Sequence, residues 1–417
     1  MFEFFESDNA CPEFSSGNGP YIPDAAECMR CGMCVGQCPT YKLFQLNEET
    51  PRARIRTIEK ILAGGETVSA SELAHLNNCL QCRACETVCP SRMAYGSLFD
   101  NAQAVLSEGR RKTILAASAF KLIESKLLRR ALMPSITLYI RSGLQNIVRR
   151  SGLLKMLNLV EADGLSRLPS LSGMADRYPA KKKTLGKVAL FTGCLTEPFD
   201  RETLNAATEL LNAIGYEVLV PKGQTCCGAI HQHNGKLQIV PEFIRRNLAA
   251  FNALDVDAVL HTATGCGAML SEYPQDEPDG VLFNDRLSDI ADFLLQHWPD
   301  RLRLKACYLK AVVHEPCSQR NVLKNQKSVY ALLQKIPGID VQPLSGTDVC
   351  CGAGGAYMLT HPENAARLRQ IKLQAIASAA PDVVVSANFG CALYLNSAES
   401  SPTVKVIHPL KLLADCL

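Results

Sequence analysis

Eight cysteines near the N-terminus form two runs with identical spacing. Each run reads Cys-x2-Cys-x2-Cys-x3-Cys-Pro, the first starting at Cys28 and the second at Cys79. At this spacing three thiolates can wrap one [4Fe–4S] cubane, while the fourth, followed by proline, reaches the other cluster. The pattern therefore predicts crossed ligation of iron. The first cubane is expected at Cys28, Cys31, Cys34 and Cys89, and the second at Cys79, Cys82, Cys85 and Cys38.

Structural zinc and a disulfide framework are the other interpretations of Cys-x2-Cys pairs. Zinc sites use four ligands per ion, typically from separated pairs. Two compact four-cysteine runs, each closed by Cys-Pro, instead fit the two-cluster pattern at every position. The runs therefore favour iron-sulfur clusters.

Eight further cysteines form two sets in the second half of the chain. The first set is Cys194, Cys226, Cys227 and Cys266, and the second is Cys317, Cys350, Cys351 and Cys391. Corresponding gaps are 32 against 33 residues and 39 against 40 residues, so the half is an internal duplication. Two quartets in register, each with a vicinal Cys-Cys-Gly (CCG) motif, are hard to explain as separate buried thiols. They predict metal or cluster ligation, and the type of cluster is not readable.

In each duplicated unit, predicted strands alternate with helices, which is typical of an α/β lobe with a mostly parallel sheet. The cysteines follow strands, in loops that end at glycine, where parallel sheets place their sites. The predicted fold class is mixed, α+β and α/β, with a mostly helical two-cluster ferredoxin-like module before two homologous lobes. The expected units are a flexible arm at 1–25, the two-[4Fe–4S] module at 26–108, a basic helical segment at 109–168, a linker at 169–186, and lobes at 187–300 and 301–417.

Composition limits the class of protein. The 417 residues, 47% of them hydrophobic, suffice for two or three domains, and a net charge of +3 gives no reason to expect nucleic-acid binding. Nineteen clustered cysteines indicate metal-thiolate chemistry in a reducing compartment, so a cytoplasmic location is expected. The N-terminus lacks a basic region followed by an apolar one, and no window approaches the roughly 18 apolar residues of a membrane span. We therefore expect neither a signal peptide nor a membrane-spanning helix.

The segment 109–155 differs from the rest in charge. It carries eleven Lys and Arg residues against one acidic residue, Glu124, interleaved with apolar residues at helical spacing. The pattern predicts basic amphipathic helices, with a break at Pro134. Such helices can lie on an anionic membrane surface, or they can pack on a core with a solvated basic face. Both interpretations remain open, so peripheral membrane contact is a hypothesis.

Other residues near the cysteines also have two interpretations. Arg52, Arg54 and Arg56 can offset the charge of thiolate-bound iron or form a solvated helix face. Five histidines can be ligands, proton carriers or, more often, groups satisfied by a neighbouring carbonyl: His231, His233, His261, His314 and His361. Three cysteines belong to no set and are assigned to packing: Cys11, Cys307 and Cys416. The glycines after Cys351 lead to Tyr357 where a dinucleotide fingerprint needs Gly or Ala, so no nucleotide site is predicted.

The chain resembles proteins that join a two-cluster ferredoxin module to a duplicated CCG domain, and within that group the iron-sulfur subunits of bacterial glycolate oxidase. The resemblance extends from about Cys28 to the C-terminus. Its specific carriers are Thr-Gly-Cys194, Cys226-Cys227-Gly-Ala, Thr262-Ala-Thr-Gly-Cys266-Gly-Ala, Cys350-Cys351-Gly352, Leu359-Thr-His-Pro362 and Ala387-Asn-Phe-Gly-Cys391.

The resemblance implies an iron-sulfur centre in the CCG lobes in addition to the two [4Fe–4S] clusters. It implies FAD-binding partner subunits that oxidise glycolate or a related 2-hydroxy acid, and delivery of electrons through this chain to the membrane quinone pool. The protein would then lie peripherally on the inner face of the cell membrane. No residue of this chain is assigned a catalytic role, because the substrate would bind to the partner.

Two alternatives stay open. The equivalent subunit of a D-lactate or anaerobic glycerol-3-phosphate dehydrogenase would differ only in its partner. A heterodisulfide-reductase-like enzyme would instead reduce a disulfide at the CCG centre. The wider family often closes each motif with Cys-x-x-Cys, whereas the last place here is Met269 in one lobe and Tyr394 in the other, which argues against that chemistry.

Overall fold

The computed structural model describes residues 28–63, 67–108, 114–157, 159–180, 183–346, 348–397 and 404–417. The predicted arm at 1–25, including Cys11, lies outside these residues. So do Gly64 and Gly65, the predicted stop of a helix.

Helices surround the two cysteine runs of the N-terminal module. They are Pro39–Phe44, Pro51–Ala63, Ala70–Asn77 and Tyr95–Glu108, with a 3-10 turn at Asn47–Glu49. Ile58, Leu76 and Leu98 are fully buried between them, as expected from apolar residues at helical spacing. Ser69 caps the third helix through a reciprocal pair of hydrogen bonds with Glu72. The helices thus form a small core that carries the cysteine runs on its loops, and the predicted helical module is confirmed.

Five helices make up the basic segment: Ile114–Glu124, Lys126–Arg141, Leu144–Arg150, Leu153–Met156 and Val160–Gly164. The predicted break at Pro134 is wrong, because the second of these helices continues through it. Pro134 is exposed, so the carbonyl that loses its backbone partner can bond to water. The helices end instead near Gly143 and Gly152, which both adopt a φ of +76°. Among the described residues, no helix is long and apolar enough to cross a membrane.

The first lobe contains a five-stranded sheet. Its strands are β1 (Arg177–Tyr178), β2 (Gly186–Phe191), β3 (Tyr216–Leu219), β4 (Ala258–His261) and β5 (Leu287–Asp289). The spatial order is β1-β3-β2-β4-β5, and only β1 is antiparallel to its neighbour. β1 lies within the segment 169–186 that the sequence predicts as a linker, so this segment also supplies an edge strand. The predicted domain boundaries remain predictions.

The second lobe contains a four-stranded, fully parallel sheet. Its strands are β6 (Lys310–His314), β7 (Asp340–Pro343), β8 (Val383–Ser386) and β9 (Val406–Ile407), in the order β7-β6-β8-β9. The predicted α/β class with mostly parallel sheets is confirmed in both lobes. Cys194, Cys266, Cys317 and Cys391 each follow the carboxyl end of a central strand, at the edge where parallel sheets place ligands.

Helices cover both sheets. In the first lobe they are Thr196–Phe199, Arg201–Ile214, Ala229–Gln232, Val240–Asn252, Thr264–Leu270, Pro278–Arg286 and Ile290–Gln296, with a 3-10 turn at Leu237–Ile239. In the second they are Gln326–Leu333, Tyr357–Thr360, Pro362–Ala379, Phe389–Asn396 and Pro409–Asp415, with a π-helical turn at Ser318–Leu323.

The closing helix of each lobe packs on the opposite lobe. Pro409–Asp415, from the second lobe, contacts Arg201–Ile214 of the first, and Ile290–Gln296, from the first, contacts Gln326–Leu333 of the second. Residues from both lobes therefore belong to one hydrophobic cluster. The two duplicated units share a core and act as one structural body.

Leu413 tests the shared core. Its side chain is fully buried in the closing helix of the second lobe. Because Leu413→Ala leaves a cavity between the lobes, we expect it to lower the free energy of unfolding by about 2–5 kcal/mol. Chemical denaturation of the intact chain measures this. Asp415→Ala, exposed on the same helix, should cost under about 0.5 kcal/mol; equal losses in both variants would contradict a core shared by the lobes.

Candidate metal centres

The cysteines of the two N-terminal runs line two cavities. Cys28, Cys31, Cys34 and Cys89 border the first, together with Cys85. Cys31 is exposed, and the neighbouring Met29 and Met33 are also exposed, so this first site lies at the molecular surface.

Cys38, Cys79, Cys82 and Cys85 line the second cavity. Cys38 is buried, and the Tyr95 hydroxyl donates a hydrogen bond to the Cys79 sulfur over 3.4 Å. The structure thus brings Cys38 to the second run and Cys89 to the first, as crossed ligation requires. The assignment of individual ligands remains a proposal.

The donor set of these cavities fits iron-sulfur clusters. Burial raises the pKa values of the Cys82 and Cys85 thiols well above their ordinary value, so neither would ionise alone. Four thiolates in one buried space repel one another unless cations lie between them, and iron supplies that charge. The eight predicted cysteines would hold the two [4Fe–4S] clusters in these cavities.

The three arginines of the helix Pro51–Ala63 differ in their surroundings. Arg54 is 2% exposed and its Nη1 donates to the Cys38 sulfur over 3.5 Å, whereas Arg56 is exposed. Arg52 is partly buried and its guanidinium lies close to Gly32 in the first run. One helix therefore carries both kinds of arginine that the sequence allows: Arg54 beside a candidate iron ligand, and Arg56 on a solvated face. The signal for Arg54 was its position beside Ile55 and Ile58, on the buried face.

All eight cysteines of the duplicated lobes line one cavity of about 610 Å³: Cys194, Cys226, Cys227, Cys266, Cys317, Cys350, Cys351 and Cys391. Contacts across the lobes hold the two quartets together. The Thr264 amide donates to the Ala387 carbonyl over 3.1 Å, and the Thr264 and Ser318 hydroxyls lie 2.9 Å apart. Cys79 and Cys82 line the same cavity, so it is contiguous with the second site of the N-terminal module.

Within each quartet the thiols form a continuous series of contacts. In the first lobe, the Cys226 thiol and burial raise the pKa of Cys194 well above its ordinary value, and the Cys226 and Cys266 sulfurs both contact Cys227. In the second lobe, Cys351 lies 3.1 Å from Cys391, sulfur to sulfur. Hydrogen bonds from the Cys317 and Cys351 thiols lower the pKa of Cys350 despite its burial.

These contacts show how charge is limited without a metal. In the second lobe the Cys350 thiolate is stabilised by its protonated neighbours, while a second thiolate would repel it in a space that excludes water. In the first lobe the pKa values of Cys194, Cys226 and Cys227 are all raised, so these thiols resist ionisation. Iron would allow all four thiols of a quartet to ionise together. The donor set therefore fits the iron-sulfur centre expected in the CCG lobes.

Backbone amides and an asparagine support the sulfurs. The amides of Gly228 and Gly352 donate to Cys226 and Cys350 over 3.4 Å each, and Asn388 Nδ2 donates to Cys391 over 3.4 Å. Hydrogen bonds of this kind stabilise negative sulfur. Both glycines adopt left-handed backbone conformations, with φ of +102° and +90°.

The histidines separate into buried and cavity-lining groups. His314 is the one whose ring nitrogen lies within 4.8 Å of two thiols, Cys351 and Cys391, in the described part of the chain. Burial lowers its pKa to about 3 and that of His261 to about 4, so both are neutral at pH 7. His233 and His361 line the cavity, while the buried His231 contacts Glu124.

Packing accounts for Cys307 and Cys416, and for Met269 and Tyr394 at the last position of the two shortened motifs. Met269 is buried, as is Tyr394, whose ring lies 4.4 Å below the Arg369 guanidinium. Cys416 belongs to the core shared by the lobes, and Cys307 packs against that core. The predicted packing role of these two cysteines agrees with their positions.

Gly352 tests how the backbone shapes the cavity. An added Cβ would lie 2.5 Å from the Ala365 carbonyl oxygen, whereas at Gly228 the nearest atoms are side-chain methyl groups 3.3–3.4 Å away. We expect Gly352→Ala to lose iron from the purified chain, because its loop cannot keep both φ and position. Gly228→Ala should lose less, since flexible side chains can move. Iron and sulfide analysis per chain, with circular dichroism as the folding check, would refute this if Gly352→Ala kept full iron.

Comparisons with known proteins agree with this arrangement. A family model described as "4Fe-4S dicluster domain" matches residues 24–93, and one described as "Cysteine-rich domain" (CCG) matches residues 188–271 and 311–396. The chain is 33% identical to the probable glycolate oxidase iron-sulfur subunit of Bacillus subtilis, covering 88% of this chain and 87% of the relative. It is 30% identical to the glycolate oxidase iron-sulfur subunit of Escherichia coli, covering 89% of both chains.

A shorter relative is lactate utilization protein A of Geobacillus kaustophilus, which is 29% identical over 53% of this chain and 96% of the relative. The two-cluster module, the duplicated CCG lobes and the two long matches lead to one assignment. The chain belongs to the family of iron-sulfur subunits of bacterial glycolate oxidase, electron-transfer subunits of an oxidoreductase.

Proposed function

We propose that this chain is the electron-transfer subunit of a complex that oxidises glycolate or a related 2-hydroxy acid. A partner subunit carrying FAD would take a hydride from the substrate, and this chain would pass the electrons singly towards the membrane quinone pool. The similarity to the glycolate oxidase subunits of B. subtilis and E. coli supports the substrate class, because it covers nearly nine tenths of each chain.

The observation that carries this proposal is the unbroken series of thiol-lined cavities. Cys85 borders both N-terminal cavities, and Cys79 and Cys82 border both the second of them and the CCG cavity. Asn321, from the second lobe, donates to the Cys82 carbonyl over 2.7 Å and fixes that junction. Iron-sulfur clusters bound at these cysteines supply one-electron redox centres. The chain's own residues hold those centres in a row and exclude water from the buried part.

The two alternatives have unequal support. Lactate utilization protein A favours a lactate-linked partner, but the match covers about half of this chain. Disulfide reduction would need a substrate to approach the CCG centre closely. Met269 is buried at the position where a fifth cysteine would stand in the first lobe, and it lines the cavity. An apolar thioether there favours electron transfer over thiol chemistry.

The isolated chain tests the proposed division of labour. Purified anaerobically, it should contain iron and give an electron paramagnetic resonance signal on reduction, yet it should not oxidise glycolate or D-lactate, because no flavin site is present among its motifs. Adding an FAD-binding partner subunit should restore glycolate-dependent reduction of the iron signal. Turnover by the lone chain would overturn the assignment.

Cys82→Ser and Cys307→Ser form a matched pair for the same experiment. The first variant changes a cysteine shared by two cavities and should interrupt electron transfer from the partner, whereas the second changes a partly buried cysteine that packs against the shared core and should retain iron and transfer. Reduction by D-lactate but not by glycolate would move the assignment to the lactate-linked alternative.

We also propose that the basic helices contact an anionic membrane surface, with the protein on the cytoplasmic face. Leu127, Leu138, Ile147 and Met156 are 79%, 68%, 65% and 73% exposed. Exposed basic residues lie among them, including Arg141, Arg150 and Lys155. This combination is typical of helices that insert apolar side chains between charged headgroups. Clustered cysteines that would bind iron are typical of a reducing compartment, which supports a cytoplasmic location.

Vesicle sedimentation tests this contact. The purified chain should bind vesicles rich in phosphatidylglycerol more strongly than phosphatidylcholine vesicles, because each Lys or Arg near the surface adds about 1 kcal/mol. Arg141→Glu, Arg150→Glu and Lys155→Glu together should abolish binding. Arg129 and Arg149 are left unchanged, because Arg129 is buried and Arg149 pairs with Asp163 over 2.5 Å.

A control variant with the same charge change is Arg301→Glu, Arg303→Glu and Lys305→Glu, three exposed residues between the lobes. It should bind like the unmodified chain. Equal loss of vesicle binding in both variants would mean that binding depends on net charge alone. That result would contradict a defined membrane-binding surface on the basic helices.

A further inference from the structure

A buried ion pair adjoins the cavity lined by Cys38 and Cys79. The Arg54 guanidinium pairs with the Glu49 carboxylate, and their side chains are 2% and 1% exposed. Arg54 Nη1 donates to the Cys38 sulfur over 3.5 Å, and Nη2 donates to the Thr40 hydroxyl over 2.9 Å. The Thr40 oxygen itself lies 3.2 Å from the Cys38 sulfur. Arg54 therefore reaches this sulfur both directly and through one hydroxyl.

The rest of the network holds the pair in place. Arg54 Nε donates to the His75 carbonyl over 2.7 Å, and Glu49 accepts from His75 Nδ1 over 2.8 Å and from Asn78 Nδ2 over 2.7 Å. Every nitrogen of the guanidinium thus has an acceptor, which is the condition for keeping a buried charge. The cation is consequently fixed in orientation, in a space where charges interact much more strongly than in water.

The position is specific to one of the two N-terminal sites. Arg54 lines the cavity of Cys38, Cys79, Cys82 and Cys85 and does not line the other. The surface site is lined instead by the exposed Arg30 and the partly buried Arg52, next to the exposed Cys31, where solvent screens their charge. Reduction of a thiolate-bound iron centre adds a negative charge, which a neighbouring fixed cation stabilises.

We propose that Arg54 is a positioning residue that raises the reduction potential of the iron centre held by Cys38, Cys79, Cys82 and Cys85, with Glu49 as its counter-charge. The pair sets the potential of the centre that adjoins the CCG cavity. This inference rests on the ligand assignment and is independent of the substrate of the complex.

Opposite shifts in two variants test the proposal. Arg54→Gln removes the cation and leaves Glu49, so the midpoint potential of one centre should fall. Glu49→Gln leaves the cation less neutralised, so the same potential should rise. We expect at least a tenfold change in the reduction equilibrium in each direction, which is about 59 mV for a one-electron couple. Redox titration followed by electron paramagnetic resonance measures both shifts in the purified full-length chain.

A purely structural role predicts a different pattern. If the pair only closed the cavity, both substitutions would admit water and both would raise the potential. Shifts of the same sign, or no shift with full iron content, would therefore overturn the proposal. Arg56→Gln, exposed on the same helix, is the matched control and should leave every midpoint unchanged.

A third variant tests the proposal if Arg54→Gln does not fold. Should Arg54→Gln fail to assemble because Glu49 is left unpaired, the double variant Glu49→Gln and Arg54→Gln removes both charges and keeps two hydrogen-bonding amides. It should retain iron, and its midpoint should fall below that of the unmodified chain, because the lost guanidinium contacts the Cys38 sulfur directly, whereas the lost carboxylate contacts Arg54, His75 and Asn78. A midpoint at or above that of the unmodified chain would contradict the proposal.

Discussion

The structure depends on placing many cysteine sulfurs in spaces that water cannot reach. Buried thiols resist ionisation, as the raised pKa values of Cys82, Cys194 and Cys351 indicate, so thiolates can persist there only beside hydrogen-bond donors or compensating positive charge. Iron supplies most of that charge, and the protein supplies the rest through oriented donors. The Gly352 amide, the Tyr95 hydroxyl and the Arg54 guanidinium each point at a cysteine sulfur. The fold can be understood as a scaffold that fixes these donors before the clusters bind.

The exchange of closing helices explains why the duplicated lobes form one cavity. Two independent lobes would each place a quartet at the carboxyl edge of its own sheet, with no fixed relation between them. Because Pro409–Asp415 packs on the first lobe and Ile290–Gln296 on the second, the two sheet edges are held face to face. The hydrogen bond between Thr264 and Ala387 then joins the cysteine loops directly. Duplication therefore produced a composite site.

The candidate ligands and the class of secondary structure around them could be predicted from the sequence. The contacts between segments far apart in the chain could not. Cysteine spacing predicted both sets of candidate ligands, and the alternation of strands and helices predicted the α/β class of the lobes, whereas the edge strand Arg177–Tyr178 fell in the predicted linker. The joint cavity was missed because it depends on contacts between helices far apart in sequence. Arg54 and Arg56 look alike as residue types, and only packing against Ile58 separates the buried one from the exposed one. Pro134 was misjudged because a proline on an exposed helix face costs less than one in a core.

The basic segment packs against the CCG cavity at one end, and its exposed apolar side chains carry the proposed membrane contact at the other. Its helix Ile114–Glu124 packs one side against the first lobe: Phe120 lines the cavity, its ring lies 5.2 Å from that of His231, and Ile123 packs on the core around Cys226. The following helices expose Leu127 and Leu138 to solvent. With the proposed membrane contact, an anionic surface held by those helices would lie next to the wall of the CCG cavity. A lipid-soluble acceptor would then reach that wall along the basic segment, so one insertion between the two iron-binding parts of the chain would serve both packing and docking.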